Sequence, residues 1–244
     1  MNSAQSLSEP KRQRVGWATG ICLAILVASN VVANRVLPNW AFVPWNCVIA
    51  LVLIVVATRV GGRTLSELGL ARNAVRSGVR WGLPFAAGIL ALYSAAALVP
   101  ATRGLFQDQR IDSSLAGVLA QAFLWVPLGT VLLEEVAFRG VLPALFGVRL
   151  GRFRANGVSA LLFGLWHVLP AWKINSANPV FREALPGTPG QITAIVLGVI
   201  GTAVAGLFLS FLRDRSNSLI APITVHISTN GFGYLVGWVV QHIG

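Results

Sequence analysis

The sequence predicts an all-α membrane protein, a polytopic bundle of about seven transmembrane helices. Two observations lead to this prediction. Hydrophobic residues make up 55% of the chain and charged residues only 11%, with a mean hydropathy of +0.70, whereas a soluble domain has about 25% charged residues. The apolar residues also occur in runs that approach or exceed about 18 residues, the length at which a helix crosses a bilayer.

The predicted spans follow one another along the chain, and polar, proline-containing or basic segments separate them. In order, they are residues 15–33, 41–58, 81–99, 115–146, 156–169, 191–212 and 219–240. Residues 1–14 form a predicted polar tail, residues 15–114 the N-terminal helices, and residues 115–244 the C-terminal helices. This succession of spans leaves no room for a second, water-soluble domain.

The cations are unevenly distributed between the connecting segments. The net charge is +11, and the segments on the predicted side of the N-terminus hold thirteen Lys or Arg residues against five on the other side. Cytoplasmic loops carry an excess of Lys and Arg, so a cytoplasmic N-terminus in a plasma membrane is predicted. Basic loops of this kind contact anionic lipid, and nucleic acid is not expected as a partner.

The predicted span 115–146 holds three charged residues, Glu134, Glu135 and Arg139. A charge at bilayer depth costs roughly 2.5 to 3.5 kcal/mol, so the cluster needs either mutual pairing or a functional cavity. Glu135 and Arg139 are four residues apart and can pair on one helix face, whereas Glu134 is rotated by about 100° from Glu135. One carboxylate can therefore be neutralised by the arginine while the other faces a cavity and takes part in a reaction. The alternative is an ion-pair network with a purely structural role.

Two later predicted spans each carry a histidine and, four residues away on the same helix face, an aromatic or amide side chain. Phe163 precedes His167 by four residues and can wall a dry pocket that the histidine lines, and His226 precedes Asn230 by the same spacing. Either histidine alone is explained by a hydrogen bond between helices. Together with Glu134, on three separate helices, they supply the polar groups that a buried hydrolytic site requires.

Two mechanisms fit these residues. In the first, Glu134 and His167 deprotonate a water molecule that attacks a peptide carbonyl. His226 and Asn230 then donate hydrogen bonds to the oxyanion. In the second, Glu134, His167 and His226 bind zinc or another divalent metal ion that activates the water. The chain has no His-Glu-x-x-His motif, so local spacing does not demand zinc.

The same residues form three motifs that resemble those of the CAAX protease and bacteriocin-processing family, which contains the type II CAAX prenyl endopeptidases. Residues 134–139 read Glu-Glu-x-x-x-Arg, residues 163–167 read Phe-x-x-x-His, and residues 226–230 read His-x-x-x-Asn. They occur in the order and helix context of that family. The resemblance covers residues 115–240, roughly half of the chain.

The resemblance implies a conical membrane cavity open to the cytoplasmic side, with residues 115–244 as the catalytic domain. It also implies intramembrane hydrolysis of a peptide bond in a membrane-associated protein or peptide, prenylated CAAX-like substrates included. The catalytic residues it implies are Glu134, His167, His226 and Asn230, supported by Glu135, Arg139 and Phe163. A metal-dependent and a metal-free reaction are both compatible with it.

Two other functions are compatible with these features. Some members of the family act as immunity factors or scaffolds, so a non-catalytic membrane protein of the same family is the main alternative. A small transporter with a buried proton relay is a third hypothesis. Transporters often have paired repeats and broken helices at matching positions, and the sequence shows neither.

Overall fold

The computed structural model describes residues 9–111, 114–172 and 177–243. Over these residues the chain is all-helical, with no strand, as the sequence predicts. The main helices of this described part are α1 (Glu9–Arg35), α2 (Asn39–Val55), α3 (Val75–Leu98), α4 (Leu115–Leu150), α5 (Arg152–Trp166), α6 (Gly187–Ser216) and α7 (Ile220–Ile243). The predicted tail falls partly within α1, and residues 1–8 lie outside the described part.

Five helical segments in the described part are long and apolar enough to cross a membrane. They are Glu9–Arg35, Asn39–Val60, Arg72–Leu98, Leu115–Leu150 and Gly187–Ser216. The other two predicted spans correspond to α5 and α7, and α5 has only 15 residues, a length of about 22 Å against a hydrocarbon core of about 30 Å. The protein is an integral membrane protein, and the number of seven spans stays a prediction.

The helix that carries the adjacent glutamates, α4, is not a regular α-helix throughout. Two of its stretches, Gln121–Val131 and Val136–Val141, have the wider turns of a π-helix, and the first contains Pro127. The proline ring provides no N–H, and a local change of helical geometry accommodates it. The α-helical stretch between them, Leu132–Glu135, holds both glutamates. Local π-helical turns of this kind are frequent at functional sites.

Close approaches between helices hold α5 and α7 in place. Helix α7 packs along α3 and also contacts α4 and α6, while α5 packs on α6. A Cβ atom at Gly82 of α3 would lie 2.9 Å from Thr224 of α7, and one at Gly164 of α5 would lie 2.6 Å from the carbonyl oxygen of Val199 of α6. Small residues at such contacts let helix backbones approach each other inside a membrane.

The distribution of polarity is that of a protein in lipid. Large apolar side chains are exposed on the outside of the helices, among them Val27, Leu51 and Leu207. Arg139 and Glu135 are instead among the most completely buried side chains. Exposed apolar surface of this extent suits contact with lipid, and the charged cluster lies in the interior of the bundle.

Candidate active site

Glu135 is tied to groups on two helices. Its Oε1 atom lies 3.3 Å from Nη1 of Arg139, in agreement with the pairing predicted from their spacing. The same oxygen lies 2.7 Å from Nδ1 of His226 on α7. The guanidinium carbon of Arg139 lies 3.9 Å from the centre of the Phe163 ring, a cation–π contact. Glu135 therefore joins α4 to α7, and Phe163 of α5 covers the arginine.

Glu134 has different surroundings. Its Oε1 atom accepts a hydrogen bond of 3.0 Å from the indole nitrogen of Trp166. Its Oε2 atom is buried and has no hydrogen-bond partner among the described residues. The Nε2 atoms of His226 and His167 face Oε2 at 3.7 and 3.9 Å. These separations exceed direct hydrogen-bonding distance, and a single water molecule can bridge such gaps.

The other ring nitrogen of each histidine is already engaged. Nδ1 of His167 lies 2.8 Å from the carbonyl oxygen of Phe163. Because a carbonyl oxygen only accepts, this contact assigns the proton of the neutral ring to Nδ1 and the lone pair to Nε2. Nδ1 of His226 contacts Glu135. Both histidines consequently turn Nε2 towards the same oxygen of Glu134.

His167 lies in the turn after α5 and not inside a helix, so this part of the predicted span 156–169 is wrong. Helix α5 ends at Trp166, and a short helical segment, Val168–Ala171, follows. The side chain of Asn30 on α1 donates a hydrogen bond of 3.0 Å to the carbonyl oxygen of Trp166, which satisfies one acceptor at this helix end. The break lets two consecutive side chains approach Glu134.

Asn230 lies one turn beyond His226 on α7 and is half-buried. It lines a cavity of about 800 Å³ together with Glu134, Trp166 and His167. Phe163 packs edge-on against His167, with the ring centres 4.6 Å apart, but it is not among the described residues that line this cavity. A cavity of this volume is within the range of small-ligand sites and can hold a short segment of polypeptide.

The metal-dependent alternative stays a prediction. The part of the chain that the structure describes contains no group of three or more His, Cys, Asp or Glu side chains that could hold a metal ion. The donors of the metal-dependent alternative are Glu134 Oε2 and the Nε2 atoms of His167 and His226, and they do not form such a group here.

Trp166 and Asn30 both support Glu134, and neither is predicted from the sequence. A signal exists for Trp166, because an indole N–H inside an apolar segment needs a buried acceptor and Trp166 directly precedes His167. The sequence has no corresponding signal for Asn30. Its partner is a backbone carbonyl of another helix, 136 residues further along the chain, which only the fold brings close.

Residues 116–232 match the family model described as type II CAAX prenyl endopeptidase Rce1-like. The matched range contains all three motifs. The matched range is just under half of the chain, and over it the chain resembles the CAAX protease and bacteriocin-processing family. No curated protein and no solved structure matches the chain. The matched family is one of membrane-embedded proteases, so the match suggests a lipid environment and a protein or peptide substrate.

Proposed function

We propose that this protein is an intramembrane endopeptidase that hydrolyses a peptide bond of a membrane-associated protein or peptide. The observation that supports this most strongly is the position of Glu134 Oε2. The atom is buried, has no hydrogen-bond partner among the described residues, and is faced by the Nε2 atoms of two histidines. Glu134 and His167 line the cavity. A general base must lie within reach of the proton that it removes, directly or through one water molecule.

In the proposed reaction, a water molecule between Glu134 and His167 attacks the carbonyl carbon of the scissile bond. As the new C–O bond forms, one proton of the water passes to Oε2 of Glu134, and the carbonyl oxygen becomes an oxyanion. When the C–N bond breaks, this proton passes to the leaving nitrogen, with Nε2 of His167 as a relay. The products are a new carboxyl terminus and a new amino terminus, and Glu134 is again ionised.

His226 and Asn230 are the proposed donors to the oxyanion. Asn230 donates from its amide nitrogen. His226 donates from Nε2 when its ring is doubly protonated, and Glu135 beside Nδ1 stabilises that positive charge. The charges of Glu134, Glu135, Arg139 and His226 then sum to zero, which reduces the cost of burying them. A preorganised donor of this kind contributes roughly 3 to 4 kcal/mol to barrier lowering.

Cleavage of a quenched fluorescent peptide by the purified protein tests this proposal. The peptide is used with and without a prenyl group, and wild type is compared with Glu134→Ala, His167→Ala and the control Glu9→Gln, which changes an exposed carboxylate. Both site variants are expected to lose cleavage, while the control and the wild type after metal chelation keep it.

Other outcomes of this experiment have distinct meanings. Cleavage that disappears on chelation and returns with zinc would replace the carboxylate mechanism with the metal-dependent one. Equal cleavage by Glu134→Ala and wild type would contradict the assigned base. Failure of the wild type to cleave, with cellular function retained by Glu134→Ala, would support a non-catalytic immunity or scaffold protein.

A further inference from the structure

The basic segments of the chain meet at one end of the bundle. Arg14, in the first turns of α1, donates a hydrogen bond of 3.2 Å to the carbonyl oxygen of Val60 after α2. Arg152 at the start of α5 pairs at 2.8 Å with Asp214 near the end of α6. We call this the arginine-rich end; its segments are residues 9–14, 59–80, 149–154 and 213–215.

The cavity beside Glu134 extends towards the opposite end of the bundle. On α4, which runs towards the arginine-rich end, its lining residues Val126 and Thr130 precede Glu134. On α7, which runs away from that end, Tyr234 follows Asn230 in the lining. The far part of the cavity is lined by the connection between α3 and α4, namely Thr102, Leu105, Phe106, Asp108, Arg110 and Ile111.

The protein is densely packed between Glu134 and the arginine-rich end. The following turns of α4 are buried, with exposed fractions of 3% for Phe138, 1% for Arg139 and 0% for Leu142. A Cβ atom at Gly140 would lie 3.1 Å from the carbonyl oxygen of Leu68, so the segment after α2 is packed directly against the helix. Access from this end would require these contacts to open.

The two ends differ strongly in charge. Among the eighteen Lys and Arg residues of the described part, thirteen belong to segments of the arginine-rich end, four to segments at the opposite end, and Arg139 lies between them. An excess of cations marks the cytoplasmic side of a membrane protein. We infer that the arginine-rich end is cytoplasmic and that the cavity beside Glu134 opens on the extracytoplasmic face of the membrane.

This inference alters one expectation from the family resemblance. A cytoplasmic N-terminus and a cavity that opens to the cytoplasm exclude each other in this structure, because α1 begins at the arginine-rich end and the cavity extends to the other. The charge distribution favours the cytoplasmic N-terminus. A substrate whose cleavage site lies in the cytoplasmic leaflet could reach Glu134 only past the packed turns of α4.

The inference also narrows the substrate class, and this part rests on the proposed peptidase function. The substrate is a membrane-anchored polypeptide whose scissile bond is presented from the extracytoplasmic face. Large apolar side chains line the cavity, among them Phe42, Leu92 and Phe106. They favour apolar residues beside the scissile bond, because such residues lose their contact with water on binding.

The direction of the cavity is tested without any assay of activity. Single cysteines are introduced at exposed positions of the two ends in a background with Cys22→Ala and Cys47→Ala. Gln107→Cys and Gln109→Cys report on the cavity end, and Ser66→Cys and Asn73→Cys report on the arginine-rich end. Spheroplasts of a bacterial host are treated with a membrane-impermeant maleimide before and after permeabilisation, and the cysteine-free background is the control.

Cysteines at the cavity end are expected to react fully in intact spheroplasts, and those at the arginine-rich end only after permeabilisation. Two positions at each end keep the test valid if one variant fails to fold. The reverse pattern, or equal labelling of both ends before permeabilisation, would overturn the inference.

Sealed vesicles of defined orientation then test the substrate class. A charged, quenched peptide with an apolar cleavage segment cannot cross the membrane. Right-side-out vesicles are expected to cleave it, and inside-out vesicles only after detergent is added. Cleavage by sealed inside-out vesicles alone would overturn the inferred direction. Absence of cleavage in all vesicles, together with the expected labelling pattern, would refute the peptidase function and the substrate class while the orientation stands.

Discussion

Glu134 and Glu135 are neighbours within one helical turn, yet their carboxylates have opposite surroundings. Glu135 is fully buried, pairs with Arg139 and contacts His226 at 2.7 Å. Glu134 has one oxygen held by Trp166 and a second oxygen that faces two histidines across gaps of 3.7 and 3.9 Å. Each glutamate has one buried oxygen, Oε2, without a hydrogen-bond partner among the described residues, but only Glu134 lines the cavity. A buried carboxylate with charged partners on two helices stabilises the bundle, whereas one that faces two histidines beside a cavity is available for proton transfer.

The largest expected effect is on stability, from Arg139→Ala. The change leaves Glu135 buried beside His226 without its cation, at a cost of about 3 to 5 kcal/mol by comparison with other broken buried pairs. Thermal unfolding of the purified protein measures it, with Arg76→Ala as the control at an exposed arginine. Addition of Glu135→Gln to Arg139→Ala should restore part of the loss. An unchanged unfolding temperature for Arg139→Ala would contradict the structural role of the pair.

A smaller effect, on catalysis alone, is expected from Asn230→Ala. Loss of one oxyanion donor lowers kcat by about 10²- to 10³-fold, and the half-buried position of Asn230 predicts little change in unfolding temperature. Steady-state kinetics with the fluorescent peptide measure kcat, and Asn73→Ala, at an exposed asparagine, serves as the control. A variant that keeps the wild-type kcat would remove Asn230 from the site.

A still smaller loss of catalytic efficiency is expected from Trp166→Phe, which removes the hydrogen bond to Glu134. Phenylalanine keeps an aromatic ring beside Phe138, whose centre lies 5.7 Å from that of the tryptophan, but it loses the N–H donor to Glu134. A hydrogen bond to a charged group contributes about 1.5 to 3 kcal/mol, so kcat/KM should fall by roughly 10- to 100-fold. Trp40→Phe, at a side chain that is 78% exposed, should have no effect. Equal losses in both variants would indicate a general sensitivity to tryptophan replacement.

The smallest effect is expected in the far part of the cavity, from Asp108→Asn. Burial raises the pKa of Asp108, but hydrogen bonds from Arg110 and its charge outweigh this and hold the pKa below its usual value. A lowered pKa in the folded state adds stability that is present above the pKa of the unfolded chain and is lost as the pH falls through the folded pKa. The pair is partly exposed to solvent, so its contribution is below about 1 kcal/mol.

The measurement for Asp108→Asn is the difference in unfolding temperature between wild type and variant across pH. Wild type should be slightly more stable at neutral pH, and the difference should vanish in acid. A difference that grows as the pH falls would contradict the sign of the pKa change.

Helical periodicity explains which parts of the site could be predicted from the sequence. The pairing of Glu135 with Arg139 follows from their four-residue spacing on one helix, and the structure places them 3.3 Å apart. The relative register of different helices does not follow from periodicity. The contact of His226 with Glu135 links residues 91 positions apart, and nothing in either helix alone specifies it.

Two features of the site could not be predicted from the sequence: the helix end before His167 and the position of the cavity. The end of α5 at Trp166 lies within an apolar stretch, and neither Trp166 nor His167 is a residue type that typically ends a helix. The all-helical fold was predictable because long apolar runs dominate the chain. The end of the bundle at which the cavity lies was not predictable, because it depends on which turns of six helices pack together.

The comparison between the two glutamates is tested most directly by Glu134→Gln beside Glu135→Gln, measured as kcat/KM and unfolding temperature on the same samples. Glu134→Gln should unfold near the wild-type temperature, because glutamine retains an acceptor for Trp166, and should lose about 10²- to 10⁴-fold in kcat/KM as expected for a missing general base. Glu135→Gln should unfold at a clearly lower temperature. Wild-type turnover by a folded Glu134→Gln variant would contradict the role of Glu134 as the catalytic base.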